Sequence, residues 1–312
     1  MPHPLILQAA AEAAGAQQYP AGALYVVGTP IGNLADLTLR AVQVLSIVDW
    51  VACEDTRVTG TLLRHLGLRR MLITLHAHNE ARAAQQVLQQ LAAGERVALV
   101  SDAGTPAVSD PGARVVAAAA AAGHRVIPVP GASSVLAALC VAGDVRGEGF
   151  GFDGFLPPKG REREAALQRV LGETGTRVLL EAPHRIELLA AALAAAAPAR
   201  TVTIGRELTK QFECVATMAA AALPAWLRAD ADRLRGEFVL VLHAEPPPAE
   251  PAGTVDAASE RALRVLLREL PLKQAVALAA EIGGAPRKAL YALALRWREA
   301  QGPSSAAQAG DT

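Results

Sequence analysis

The 312-residue chain carries few of the groups that usually mark a function. Aromatic residues make up 4% of it, too few for broad base-stacking platforms. Its three cysteines, Cys53, Cys140 and Cys214, are far apart and form no CxxC or Cys/His pattern. That argues against a disulfide framework or a zinc site and leaves buried, reduced thiols as the expectation. Thirty basic residues balance thirty acidic ones, so there is no overall basic coat, although local patches stay open. The N-terminus "MPHPLILQAAAEAAGAQQYPAG" has neither a basic n-region nor a leucine-rich core and is a poor signal peptide. The alanine-rich runs are too short and too weakly apolar to span a membrane. A soluble cytoplasmic protein is expected.

A phosphate grip is missing too. No G-x-G-x-x-G and no Walker lysine follow the apolar runs. The loop "SDAGTPAVSDPG", residues 101–112, comes after "RVALV" and offers two aspartates but no lysine or arginine. A second loop, "VVGTPIGNL", residues 26–34, repeats its Gly-Thr-Pro. In an open α/β sheet such loops line the ligand crevice at the strand ends. Asp102, straight after its strand, can meet ribose hydroxyls or a cation there; its plain alternative is an Asx-turn. A ligand with sugar and amine groups but no phosphate fits this chemistry, and S-adenosylmethionine is one.

What is present is apolar and periodic: 52% of the residues are hydrophobic. Five apolar runs between residues 24 and 130 alternate with helical patterns near 36–46, 57–66, 79–93 and 111–122 and after Ser133. This alternation predicts an α/β domain with a parallel sheet, residues 22–145. Asp110 and Pro111 are expected to begin one helix, closed by Gly123, and Asn79 to cap another that ends at Gly94. After the hinge "GDVRGEG", runs at 201–206 and 212–216 are close enough to form an antiparallel hairpin. A second α/β domain with a mixed sheet is expected over 150–243. The proline-rich "AEPPPAEPAG" reads as a linker, and three helical patterns over 255–300 read as a helix-turn-helix-like domain. The tail after residue 300 reads as disordered. Between 257 and 300, eight lysines and arginines outnumber four acids.

Nine stretches occur in order: "VVGTPIGNLADLTLRAVQVL", "VACEDTRVTGTLL", "LHAHNE", "ALVSDAGTPAVSDPG", "VPGASSVLAAL", "GFLPPKG", "EAPHR", "RELTKQFE" and "GEFVLVL". Together they resemble the bacterial 16S rRNA (cytidine 2′-O)-methyltransferases of the tetrapyrrole methylase superfamily, over roughly residues 22–300. One departure is Leu180, where many members carry an aromatic residue. The resemblance implies two α/β domains with S-adenosylmethionine in the cleft between them, a homodimer, and 16S rRNA of the small ribosomal subunit as substrate. It implies cofactor contacts at Thr29, Pro30, Asp102, Thr105, Ser133 and Ser134; Ser133 can also cap a helix. The candidates for the group that takes the 2′-hydroxyl proton are Asp55, Glu54, Glu181 and Lys210. Asp55 is preferred, because Arg57 two residues on can orient it and only one of Glu54 and Asp55 is expected to face the cleft. His76 and His78 lack further metal ligands nearby, so no metal is expected. Two rivals are a corrin or porphyrinogen C-methyltransferase, which would not need the basic segment 257–300, and a non-catalytic RNA-binding module, which would have lost the cleft residues.

Overall fold

The computed structural model describes residues 4–76, 78–245, 255 and 257–300. It divides into two compact units, residues 1–245 and 246–312. Most of the proline-rich linker and the tail after 300 lie outside the described residues.

The first unit holds two lobes. Strands β1 (Leu24–Val27), β2 (Trp50–Cys53), β3 (Met71–Thr74), β4 (Val97–Leu99) and β5 (Val126–Val129) form a parallel sheet in the order β3-β2-β4-β1-β5. Side chains alternate across it. Tyr25, Val27, Val51 and Cys53 pack with α1 (Pro4–Ala14), α2 (Leu39–Ile47) and α3 (Thr56–His65). Leu24, Ala52 and Leu99 pack on the other face with α4 (Glu80–Ala92) and α5 (Ala113–Ala121). The chain therefore leaves β1 toward one face and its neighbour β4 toward the other. The carboxyl ends of β1 and β4 consequently diverge around a crevice.

Helix α6 (Ser134–Ala142) leads to the second lobe. Its sheet runs β6 (Phe150–Phe155), β7 (Thr176–Glu181), β10 (Phe238–Leu242), β8 (Thr201–Arg206), β9 (Cys214–Ala219). Only β6 and β7 pair in parallel, and β8 and β9 form the expected antiparallel hairpin. Helices α7 (Gly160–Gly172), α8 (Ile186–Ala196) and α9 (Leu223–Arg228) cover one face around Leu179, Ile204 and Leu240. Val135, Ala138 and Ala142 of α6 cover Val178, Val239 and Val241 on the other. The second unit packs α10 (Ala257–Leu266), α11 (Leu272–Gly283) and α12 (Arg287–Ala300) around Leu263, Val276 and Leu290.

Some local expectations are corrected. Helix α5 does not start at Asp110 and Pro111: its N-cap is Gly112, at φ 136°, whose N–H donates to the Glu80 carboxylate at 2.8 Å. A carboxylate from the preceding helix, α4, thus meets the donor that Asp110 was expected to meet. Asn79 precedes α4 but makes no capping bond. Its amide accepts from His76 N–H at 2.7 Å and donates to the Thr74 carbonyl at 3.0 Å, closing the β3–α4 turn. Only Cys53 of the three cysteines is buried; Cys140 is exposed on α6. Helix α1 has no counterpart in the expected elements, and it buries Ala10 and Ala14.

Hinge residue Asp144 is tied down by the Thr176 hydroxyl at 2.6 Å and the Ala244 N–H at 2.8 Å. Burial opposes its charge, but these bonds and the Arg146 N–H outweigh burial and hold the carboxyl below its usual range. Burial lowers His243 by more than nearby Asp144 raises it, so the ring is neutral and accepts or donates to the Thr203 hydroxyl at 2.7 Å. Both groups take protons more readily when unfolded. Stability should therefore be full above about pH 6.5, fall as pH drops through the unfolded histidine range, and fall again below about pH 4. Urea midpoints measured from pH 8 to pH 4 test this, and His243→Gln should flatten the upper step.

Candidate active site

Three loops meet at the crevice. A Cβ on Gly28 would lie 2.8 Å from the Gly131 Cα, and one on Gly131 would lie 2.7 Å from the Gly28 carbonyl oxygen. The loops after β1 and β5 thus cross backbone against backbone. Thr29 and Gly104 exchange two backbone hydrogen bonds, at 2.9 and 3.1 Å, which joins the loop after β4 to the same rim. Gly104 adopts φ +81°, open to glycine at little cost. The buried Thr29 hydroxyl donates to the Ser101 carbonyl at 3.1 Å, and the Thr105 hydroxyl to the Ala132 carbonyl at 3.1 Å. Asp102 accepts the Asp55 N–H at 3.0 Å. Ser133 caps α6 through Leu136 N–H.

The rim borders a cleft between the lobes. One cavity there, about 530 Å³, is lined by Thr29, Pro30 and Asp102 from the first lobe and by Lys210 and Glu237 from the second. A second, about 320 Å³, is lined by Ser134, Phe155, Leu180 and Val239. A third, about 110 Å³, adds Thr105, Asp110 and Ser133. Ala103 lines all three. The structure thus brings all six expected cofactor residues to one cleft. No lysine or arginine lines the two smaller cavities, whose walls combine apolar side chains with serine and threonine hydroxyls and the carboxylates of Asp110, Glu181 and Glu237. That lining suits a nucleoside without phosphates, and the cavity of about 320 Å³ falls in the range of small-ligand sites.

The four proposed proton acceptors separate sharply. Asp55 is the N-cap of α3: it accepts Arg57 N–H at 2.8 Å and pairs with the Arg57 guanidinium. The hydrogen bonds from Arg57 hold its carboxyl at about 2. A carboxylate so stabilised is a poor base, and the preference for Asp55 is not supported by its surroundings. Glu181 is 2% exposed and clamped by Arg163 at 2.8 Å and Arg185 at 2.6 Å. Lys210 bonds Glu207 at 2.8 Å and Glu237 at 3.0 Å. Burial disfavours its charge, yet the two carboxylates outweigh burial and raise its pKa, so it is a cation and not the neutral amine expected of a base. Glu54 differs. Burial, and then the nearby Asp102 and Asp110, push its carboxyl above the usual range. Among the described residues no ion pair engages it.

Gly32, Glu237 and Phe155, which the sequence reading did not single out, also line the cavities. The Lys210 stem lies where a Gly32 side chain would be, 2.4 Å from a built Cβ, and so reaches the first lobe. Glu237 positions Lys210 from β10's lead-in, and Phe155 ends β6. Glu207 and Thr209, flanking Leu208, take positive φ angles of 51° and 68°, an unusual turn for non-glycine residues. Among the described residues no group of three or more potential ligands could hold a metal.

A family model described as tetrapyrrole (corrin/porphyrin) methylases matches residues 23–224, and one described as RsmI C-terminal HTH domain matches residues 253–298. A ribosomal RNA small subunit methyltransferase I from Neisseria meningitidis serogroup B is 45% identical over 277 residues, 89% of this chain and 94% of that one. Its namesake from Escherichia coli O157:H7 is 44% identical over 275 residues, 88% and 95% of the two chains. Uroporphyrin-III C-methyl transferase from Thermus thermophilus, solved with S-adenyl homocysteine, shares the fold at TM-score 0.50 and 19% identity, over 71% of this chain and 97% of that one.

The rim generates a direct test. In Gly28→Ala the added methyl meets backbone atoms that cannot rotate aside. The variant should lose about 1–3 kcal/mol of stability, as overpacked sites do. Gly131→Ala should behave alike, and the double variant should cost less than the sum because both methyls strain one contact and one separation of the loops accommodates both. Urea unfolding of the three variants measures it.

Proposed function

The chain belongs to the tetrapyrrole methylase family, alongside the ribosomal RNA small subunit methyltransferase I proteins, and from that premise we propose that it transfers a methyl group from S-adenosylmethionine to the ribose 2′-oxygen of a cytidine in 16S rRNA. The observation that carries the reading is a cleft whose two smaller cavities, lined without lysine or arginine, share Ala103 with a larger one lined by Asp102 and Lys210. Glu54 leaves β2 one residue before Asp55, whose N–H bonds Asp102 of that larger cavity. When bound, S-adenosylmethionine supplies an electrophilic methyl group. Ser133, Ser134, Thr105 and the Ala103 backbone would hold its polar groups, and Phe155, Leu180 and Val239 its apolar surface. Thr29, Pro30 and Asp102 would shape the passage from this pocket to the large cavity, where the nucleotide fits.

A protonated 2′-hydroxyl is a weak nucleophile. Glu54 would take its proton as the oxygen–carbon bond forms, in the role first expected of Asp55. Its raised pKa brings it closer to working pH, which is what a general base needs. Asp55 instead starts α3, and its N–H holds Asp102 in place. Lys210 would hold an RNA phosphate in the large cavity as a cation, and Glu181 would keep the loops after β6 and β7 together through its two arginines.

The RNA-binding part of the reading draws on the second unit, whose eight lysines and arginines between 257 and 300 are all exposed. A C-methyltransferase of small tetrapyrroles has no use for them. Leu136 and Val141, exposed on α6, suit the homodimer that the reading includes. No described helix is long and apolar enough to cross a membrane, in keeping with a cytoplasmic enzyme.

Mass mapping of isolated small subunits, incubated with protein and S-adenosylmethionine, tests the proposal. One cytidine ribose should gain a methyl group; modification of a base, or none, would overturn it. In single-turnover assays Glu54→Gln should lower the rate by about 10²–10⁴ while cofactor affinity holds.

A further inference from the structure

A second large cavity, about 550 Å³, opens on the flank of the first lobe and shares no lining residue with the cleft. One wall is α4, which presents Arg82, Gln86, Gln89 and Gln90 at spacings of three and four, a single helical stripe. The facing wall is β3, the edge of its sheet, which pairs only with β2. Half-buried Trp50 adds an apolar ring surface.

The chemistry of this groove is selective. Three glutamine amides can each donate and accept, as nucleobase edges and ribose hydroxyls require. No carboxylate lines it, and exposed Arg82 engages in no ion pair among the described residues, so a polyanion meets attraction only. His76, at the carboxyl end of the groove, has a buried Nδ1 with no hydrogen-bond partner. Asn79 is excluded as its partner, because its amide is spent on backbone atoms of Thr74 and His76.

The groove also has a direction. Cys53 and Thr74 are register partners on β2 and β3, and Leu75 N–H donates to the Cys53 carbonyl. Glu54 and His76 therefore leave adjacent strand ends. An RNA strand whose target nucleotide occupies the cleft near Glu54 can continue past His76 into the groove.

We propose that this groove binds single-stranded RNA next to the methylated nucleotide, with bases against Trp50 and the glutamine stripe and a phosphate on Arg82. The proposal rests on the RNA-methylating reading above. Gln86 and Arg82 are exposed, so their replacement should leave the fold intact.

The test uses the full-length protein and a fluorescein-labelled single-stranded oligoribonucleotide of about eight nucleotides, within the usual span of such sites. Gln86→Ala with Gln90→Ala should weaken binding about tenfold, the effect of losing one or two neutral hydrogen bonds. Arg82→Gln should make binding less salt-dependent. On small subunits the same variants should raise KM and spare kcat, with unchanged cofactor affinity. The oligonucleotide should slow hydrogen exchange over residues 71–90. Unchanged affinity with no protection there would overturn the groove assignment, and would leave the enzymatic reading standing if the wild type still methylates 16S rRNA. Protection by a small-subunit protein but not by the oligonucleotide would overturn it in favour of protein docking.

Discussion

The crossing of Gly28 over Gly131 is the constraint on which the site depends. Two backbones approach so closely that neither residue can carry a side chain. That contact fixes the loop after β1 against the loop after β5, and the Thr29–Gly104 pair extends the lock to the loop after β4. Hydroxyls that could have served a ligand are partly spent inside this rim, Thr29 on Ser101 and Thr105 on Ala132. The ligand surface is thus made largely of backbone and small side chains held rigid, as a site built for alignment requires.

Environment, not residue type, then sorts the acids. Asp55 and Glu181 carry the same group as Glu54, yet each is matched to arginine and is committed to holding structure. Glu54 is partly buried and has Asp102 and Asp110 nearby, and both burial and like charge favour taking up a proton. Asp110 is pushed up as well, by burial first and then by Asp102. Carboxylates with their proton affinities driven apart by surroundings give the site an acceptor without a metal ligand set or a neutral amine.

Most of the architecture was legible from sequence. The apolar runs and the helical segments between them placed both sheets, the β8–β9 hairpin and the three helices of the second unit. Local chemistry was less so. The Asp55–Arg57 pairing was foreseen, but the strand was assumed to continue; it ends at Cys53, and the helix that starts at Thr56 turns Asp55 into a cap. Asp110 and Asn79 lost their expected capping roles to tertiary partners, Glu80 for one and the Thr74–His76 turn for the other. The clamp on Glu181 comes from Arg163, eighteen residues upstream, and the reach of Lys210 over Gly32 depends on a left-handed turn at Glu207 and Thr209. No short-range pattern encodes such contacts. Helix α1 was missed because its alanines bury little area and give a weak periodic signal.

In the proposed reaction Glu54, raised by burial and by nearby Asp102 and Asp110, accepts the substrate proton. The pH dependence of the single-turnover methyl-transfer rate on small subunits tests this most directly. The rate should rise through one ionisation above the usual carboxylate range and be level well before lysine titrates, with that step absent from the residual rate of Glu54→Gln. A rate that keeps climbing toward the lysine range, or a Glu54→Gln variant with an unchanged profile, would contradict it.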